Sequence, residues 1–520
     1  MVKNFVEGDY RRKIKTPEEL CEIIGQHPRE HKVVMCHGGF DIVHPGHIRH
    51  LIYARDKGDM LVVSLTCDAH ISKADMRPFV PEELRAMNLA ALEVVDYVVV
   101  DPHPTPLENL GKIQPDYFVK GYEYIEGKIN PRTQEEKKVI ESYGGEFIFT
   151  PGDIVYSSSA IVEADPPNLA TEKLATLLGG ESLAFDDLYG ALDKLSGLRV
   201  HVVGDTIVDT LTMTTLIGAS AKTPTFSCRY EGRTDFVGGA GIVAKHLSAA
   251  GAEVIFSTVL GDDALKNFVL EDLQSAGVDT RVVIDPTRPT TNKNSFVAGG
   301  YRLLKVDTLD NRSVSDKILE ELKGKISSSD GDTVVFSDFR HGIFSRETIP
   351  ALVEAIPEGV FRVGDSQVAS RWGNILDFHD FDLITPNEKE ARFALGDQDT
   401  VIRPLGSELY RQARCKTLIL KMGGRGLITF RAPVTESPER RQFFVMDSFA
   451  SHVVDAMGSG DALLAYATLA MKATGNEIIA SALGSLAASV ECEKDGNIMV
   501  SPDDVRRKLQ DIENHANYSY

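Results

Sequence analysis

Three things are scarce in this chain, and each scarcity closes off a class of protein. Cysteine is the first: Cys21, Cys36, Cys67, Cys228, Cys415 and Cys492 stand far apart, with no C-x-x-C pair. That spacing excludes a zinc ribbon or a disulfide framework and fits a reducing compartment. Second, no apolar run approaches the length of a membrane span, and the opening MVKNFVEGDYRRKIK lacks the apolar core of a signal peptide. A cytoplasmic protein without membrane attachment is expected. Third, there is no Lys/Arg block: 56 Lys+Arg against 76 Asp+Glu leave a formal net charge of -20. A surface of that sign repels nucleic acid and anionic membranes. Small anionic substrates would therefore need locally positive pockets. Internal repeats and low-complexity segments are absent as well.

What remains is ordinary globular material: 42% hydrophobic and 25% charged residues over 520 positions, enough for large buried cores. Lys32–Cys36 and Leu198–Val203 each read as the first strand of an α/β domain, a β-branched run ending in a Gly- and Asp-containing turn. After the first come a helix (His47–Lys57), a strand (Met60–Leu65), a helix (Glu82–Ala91) and strands at Tyr97–Val100, Tyr117–Lys120 and Glu146–Thr150. This alternation predicts a parallel, doubly wound sheet. Pro166–Pro167 mark a boundary. The division expected is 1–165, a polar helical linker over 166–196 that includes Phe185–Leu195, and a larger α/β domain over 197–520. Within the latter, Thr212–Val237 reads as a strand pair on the edge of the main sheet and, with Thr291–Val306, as a projecting lid.

The informative N-terminal stretch is His37–His47, HGGFDIVHPGH. His44-Pro45-Gly46-His47 follows a strand and opens a helix. Pro45 suits a first helical turn, and Gly46 lets a ligand approach the backbone. Two imidazoles at a helix N-terminus can donate to phosphate oxygens, which suits nucleotidyl transfer as charge builds on the α-phosphate. Helix-capping or core histidines are the plainer alternative. The stretch resembles the signature loop of the cytidylyltransferase-like superfamily, with Gly38, Phe40, Asp41, His44, Gly46 and His47 in place. The resemblance spans about 32–162. It implies phosphate-binding roles for Lys73 and Ser157, Ser158 and Ser159, and a nucleotide-reaching arginine at Arg77 or Arg85. It also places Lys120-Gly121 at the site. The closest pattern is the adenylyltransferase half of bifunctional heptose kinase/adenylyltransferases, which favours ATP over CTP. Cys36-His37-Gly38 stands where that family has Thr-Asn-Gly.

In the second half, Val453–Ala462 (VVDAMGSGDA) reads as a strand, a Gly-Ser-Gly turn and an Asp opening an apolar helix, Ala462–Ala473. Backbone N–H groups around Gly458, Ser459 and Gly460 could gather round a phosphoryl group, and Asp461 could accept a hydroxyl proton. A Gly-rich turn with a capping Asp is the bland alternative. The segment resembles the Asp-Thr-x-Gly-Ala-Gly-Asp motif of the ribokinase (PfkB) family, with Ala456 for Thr and Ser459 for Ala. Over about 198–510 that resemblance implies sugar contacts at Asp205 and Asp209 and a substrate pocket at Gly238-Gly239. It further implies indirect Mg²⁺ organisation by Asn387 and Glu390, and a nucleotide loop at Lys421, Gly423 and Gly426. Ile242 replaces an Asn that binds sugar hydroxyls, and Gln367 stands where heptose-phosphate kinases carry Lys. Arg340 and His341 could compensate in charge or belong to a solvated loop. GAGIVA (239–244) imitates a dinucleotide fingerprint, but no convincing long strand is expected before it.

The whole is thus expected to be an α/β protein: a Rossmann-like nucleotidylyltransferase domain followed by a ribokinase-like kinase domain with a small β lid. Its expected product is an activated nucleotide sugar, made with Mg²⁺ and ATP or another NTP. The domain order is the reverse of the heptose enzymes. A CTP-dependent cytidylyltransferase fused to a kinase, or a kinase half that only binds, are the alternatives. A homodimer through the kinase half is expected.

Overall fold

The computed structural model describes residues 10–71, 78–121, 131–150, 170–219, 225–367, 373–432, 442–494, 496 and 498–518. The chain divides into two compact units, Met1–Leu169 and Ala170–Tyr520.

The first unit runs α1 (Pro17–Ile24), β1 (Val33–Gly38), α2 (Pro45–Arg55), β2 (Met60–Thr66), α3 (Glu82–Ala90), β3 (Tyr97–Asp101), α4 (Leu107–Ile113), β4 (Tyr117–Lys120), α5 (Pro131–Ser142) and β5 (Glu146–Phe149). The strands form one parallel sheet in the order β3-β2-β1-β4-β5. Both faces are covered, which is why β1 and β2 are apolar without alternation: Val33 to Cys36 and Leu61 to Val63 are all fully buried. Strand order reverses between β1 and β4. A crevice outside the carboxyl ends of the strands is expected at that point, and His37, Gly38 and Lys120 end these two strands.

The second unit begins with α6 (Ala170–Gly180) and α7 (Phe185–Asp193). It continues through β6 (Arg199–Gly204), β7 (Thr206–Ala219), β8 (Phe226–Gly239), α8 (Ala240–Ala249), β9 (Glu253–Ser257), β10 (Val259–Leu260), α9 (Ala264–Ser275), β11 (Asp279–Thr280), β12 (Val283–Ile284), β13 (Asn292–Ala298), β14 (Tyr301–Thr308), α10 (Asp316–Ser327), β15 (Thr333–Asp338), α11 (Thr348–Glu354) and β16 (Phe361–Ser366). It closes with β17 (Leu383–Ile384), α12 (Glu388–Leu395), α13 (Ile402–Ala413), β18 (Thr417–Lys421), β19 (Leu427–Arg431), β20 (Phe443–Met446), α14 (Ser459–Thr474), α15 (Glu477–Cys492) and α16 (Pro502–Tyr518). The main sheet has the order β11-β9-β6-β15-β16-β17-β18-β19-β20, with antiparallel pairing only at β18-β19-β20. Helices α14 and α15 pack closely through small residues. A Cβ added to Gly484 would sit 3.1 Å from the Leu463 carbonyl and 3.2 Å from the Ala467 methyl.

Three expectations change here. The described part of the expected linker, 170–196, is not one: Leu174, Leu178, Leu188, Ala191, Leu192 and Leu195 are buried in the core of the second unit. Lys173 pairs with Asp447 at 2.8 Å, and the Tyr189 hydroxyl donates to Glu513. The polar faces of these helices masked their apolar stripes. The expected edge pair forms its own sheet, in the order β14-β13-β7-β8, and makes the lid. GAGIVA does follow a long strand, but β8 is a lid strand antiparallel to β7, so no parallel β-α-β unit surrounds it.

Candidate active sites

In the first unit His44 is the N-cap of α2, and its Nδ1 accepts the Gly46 N–H at 3.1 Å. The neutral ring therefore carries its proton on Nε2. His47 lies parallel to it, centroids 3.9 Å apart, and its Nδ1 donates to the Ile42 carbonyl at 3.1 Å. Its Nε2 is thus an acceptor until protonated. Burial, helped by His44, pushes the His47 pKa down to about 4, and burial lowers that of His44 too. The two rings are therefore unequal: His44 already carries its proton on Nε2, and His47 gains one there only on protonation.

Their neighbours are braces. Phe40 is buried at φ 42 and packs on His47, ring centroids 5.0 Å apart. Asp41 accepts from the N–H groups of Phe79 and Val80 at 2.9 and 2.7 Å, anchoring the loop between β2 and α3. Arg85 is fully buried, and its guanidinium donates to the carbonyls of Gly39 and Val80 and to Asp68. Here, then, it ties the loops after β1 and β2 together rather than reaching outward. Lys120 is buried in an ion pair with Glu136. His37 joins a buried series, with Nδ1 3.0 Å from Ser64 Oγ and Nε2 3.2 Å from Thr66 Oγ1; Asp101 lies beyond Ser64. Gly121 follows β4 directly. Lys73, Arg77 and Ser157, Ser158 and Ser159 lie outside the described residues.

In the second unit Gly458, at φ 82, caps α14, and Asp461 lies in its first turn, 9% exposed. Burial first, and the nearby Asp365 second, push its pKa up to about 8, with Lys421 opposing. Ser459 Oγ donates back to the Ala456 carbonyl. Asn387 and Glu390 form a capping box on α12: Glu390 accepts from the backbone N–H and the side-chain Nδ2 of Asn387, and Asn387 Oδ1 accepts the Glu390 N–H. Among the described residues no cluster of three or more His, Cys, Asp or Glu could hold a metal. The donor set fits a hydrated ion carried by a nucleotide, since both side chains are already engaged with each other.

Asp209 and Asp205 part company. Asp209 lines a cavity of ≈ 330 Å³ together with Lys293, Arg302, Lys305, Asp455 and Met457. Asp205 is buried and accepts from the backbone N–H groups of Phe339, His341 and Ile343, so it fixes a turn rather than meeting a sugar. Gly239, at φ 61, turns β8 into α8; a Cβ there would lie 2.5 Å from the Asp205 carbonyl. Gly238, its neighbour, is likewise buried. Ile242 is core, 1% exposed. Arg340 and His341 are not a solvated loop. Arg340 is buried between Asp338 and Asp377, at 2.8 and 2.7 Å, so its charge is already matched. His341 donates from Nδ1 to Asn311. Gly423 and Gly426 shape the turn from β18 to β19, and a Cβ on Gly426 would strike the Met446 carbonyl at 2.1 Å. The three cavity cations went unnoticed in the sequence because they are spread over two lid strands, with a register shift between β13 and β14 and no motif around them; their one signal was their place in the expected lid.

A parallel sheet with an Asp at a Gly-rich helix start, beneath a β lid and beside a cavity, defines a phosphoryl-transferring α/β kinase. The model of the "pfkB family carbohydrate kinase" matches residues 199–504, and the chain belongs to that family. A second model, "Cytidylyltransferase-like", matches residues 35–164. Among curated proteins, "Bifunctional protein HldE" of Rhodopseudomonas palustris (strain HaA2) is 28% identical over 333 residues, covering 62% of this chain and 65% of that one. Its namesake from Syntrophotalea carbinolica is 42% identical over 140 residues, 26% of this chain and 28% of that one. The chain thus spans less than two thirds of either relative. Among solved structures, Escherichia coli phosphofructokinase-2 in complex with potassium superposes with a TM-score of 0.50 at 17% identity, covering 61% of this chain and 99% of that one. That likeness concerns the fold. Among the described residues, no helix is long and apolar enough to cross a membrane.

Proposed function

We propose that the chain is a two-headed enzyme of activated-sugar synthesis, similar in activity to the bifunctional heptose kinase/adenylyltransferases. The second unit transfers the terminal phosphoryl group of ATP to a hydroxyl of a sugar that is already phosphorylated. The observation that carries this is the cavity, in which Lys293, Arg302 and Lys305 converge near Asp209. Asp209 suits sugar hydroxyls, and three cations in one small cavity suit a phosphate. Asp455 and Met457 of the same wall lead directly into the Gly458–Asp461 turn.

In the reaction an acceptor hydroxyl loses its proton to Asp461 as its oxygen bonds to phosphorus, and the bond from phosphorus to the ADP oxygen breaks, leaving ADP with the electron pair. The backbone N–H groups at the start of α14 receive the charge in flight. Mg²⁺ bound to the nucleotide would neutralise phosphate charge, with Asn387 and Glu390 holding its water shell.

The first unit transfers a nucleotidyl group from an NTP, ATP before CTP, to a sugar 1-phosphate and releases pyrophosphate. His44 Nε2–H donates to the α-phosphate, and His47 adds a second donor once the anion draws a proton onto it. The test is a panel. Sugars and sugar phosphates are offered with ATP, and sugar 1-phosphates with ATP, CTP, GTP and UTP, reading ADP and pyrophosphate. Phosphorylation of free sugars in preference to sugar phosphates would overturn the cavity reading, and CTP as preferred donor would make the first unit a cytidylyltransferase.

A further inference from the structure

The family resemblance puts Lys421 in a nucleotide loop without saying which group of the nucleotide its side chain meets. Lys421 ends β18, and its N–H donates to the Pro386 carbonyl at 2.8 Å, pinning it beside the Thr385-Pro386-Asn387 turn. Its ammonium reaches across the two-residue strand β17 to Asp365 Oδ1 at 2.9 Å, which also accepts the Thr385 hydroxyl. The same ammonium lies against the first turn of α14, where a Cβ on Gly460 would be 3.5 Å from Nζ.

We infer that the Lys421 ammonium is a ligand of the terminal phosphoryl group of the bound nucleotide, held by Asp365 and presented at the Gly460 turn. The inference rests on the kinase reading of this site. A mostly buried cation at the positive end of a helix is repelled by the helix itself, so something must hold it there. Burial works against the charge, but Asp365, Glu390 and Asp461 more than restore it, so Lys421 stays protonated. Asp365 would repel a phosphoryl group arriving beside it, and Lys421 pairs with that carboxylate. An ammonium has three N–H donors. Asp365 takes one, which leaves the others for an anion seated on the backbone N–H groups of Ser459 and Gly460. Lys421 thus brings a cation from β18 to Asp365, near the end of β16.

The test is calorimetry on the full chain with Mg²⁺, comparing ADP with the β,γ-imido analogue of ATP. The nucleotide site of the first unit is common to wild type and variant, so the difference between them isolates the kinase site. Lys421→Met should weaken the analogue by about tenfold or more, the scale of one charge-assisted hydrogen bond. ADP, which lacks the terminal group, should weaken less than threefold, and Lys421→Arg should recover most of the loss. Equal weakening of both ligands, or of neither, overturns the inference. If Lys421→Met loses its cooperative melt because Asp365 is left unpaired, Asp365→Asn with Lys421→Met removes that charge, and the same criterion applies. If no acceptor is phosphorylated by wild type, the proposed kinase reaction fails, while the analogue-against-ADP contrast still decides the role of Lys421.

Discussion

A stacked pair of imidazoles is useful for transfer only if each can place a proton on phosphate, and here the two begin from different states. His44 holds its donor ready, whereas His47, with its pKa pushed down to about 4, starts neutral with a lone pair outward. Replacing either by Ala should slow pyrophosphate release by about a hundredfold or more, as expected for removal of a transition-state donor; phosphorylation of the sugar by the same protein should not change. Asp461 gives a second residue-level expectation. With its pKa pushed up to about 8, the free enzyme carries it mostly protonated at neutral pH, and only the carboxylate can act as base. The kcat/KM of phosphoryl transfer should therefore rise about tenfold per pH unit below 8 and flatten above it. Asp461→Asn should lower kcat by about 10²–10⁴-fold and abolish that acidic limb. Residues such as these were legible because they sit in contiguous motifs. The bracing role of Arg85 was not, since its partners Gly39, Val80 and Asp68 are far apart in sequence and meet only in the folded loops.

Among elements, the strands of the first sheet, and β6 of the second, were legible almost to the residue, because burial on both faces leaves long β-branched runs with no competing helical period. The strand expected at the start of Val453–Ala462 is not one, since the chain there joins no sheet and leads as a turn into α14. The helices α6 and α7 were harder. Leu174, Leu177 and Leu178 carry the i, i+3, i+4 signature, yet the surrounding charge made the segment look like a tether. Its true attachment has a measurable consequence. A fragment starting at Ala170 should fold, whereas one starting at Ser182 loses Leu174 and Leu178 from the core, each worth about 1.5–3 kcal/mol. It also leaves the buried Arg431 without its Glu181 partner. Thermal denaturation of the two fragments should show the shorter one clearly less stable; equal midpoints would return these residues to the status of a linker. The strands of the lid, expected over Thr212–Val237 and Thr291–Val306, are where the sequence put them; what alternation could not tell is that β7 and β8 leave the main sheet's edge and pair with β13 and β14 through long-range contacts.

On the scale of the molecule, each unit encloses its own core, two clusters in the first and two in the second, with none shared. The surface that asks for a partner is the lid: Phe226, Tyr301 and Ile217 are 73%, 78% and 69% exposed, on strands that include both edges of the small sheet. Open edges and exposed aromatics of this kind invite pairing with a second copy. Light scattering should find a dimer at micromolar concentration, and Phe226→Glu with Tyr301→Glu should return it to a monomer without unfolding. A wild-type monomer at that concentration would refute the pairing. The lid strand β14 also carries Arg302 and Lys305 into the cavity beside Asp209. A strand that packs on a second copy with one side and meets an anion with the other would couple the two events. Self-association and acceptor occupancy would then be linked equilibria, each shifting the other by the same factor. The supply of sugar phosphate would then govern how many of these molecules stand in pairs.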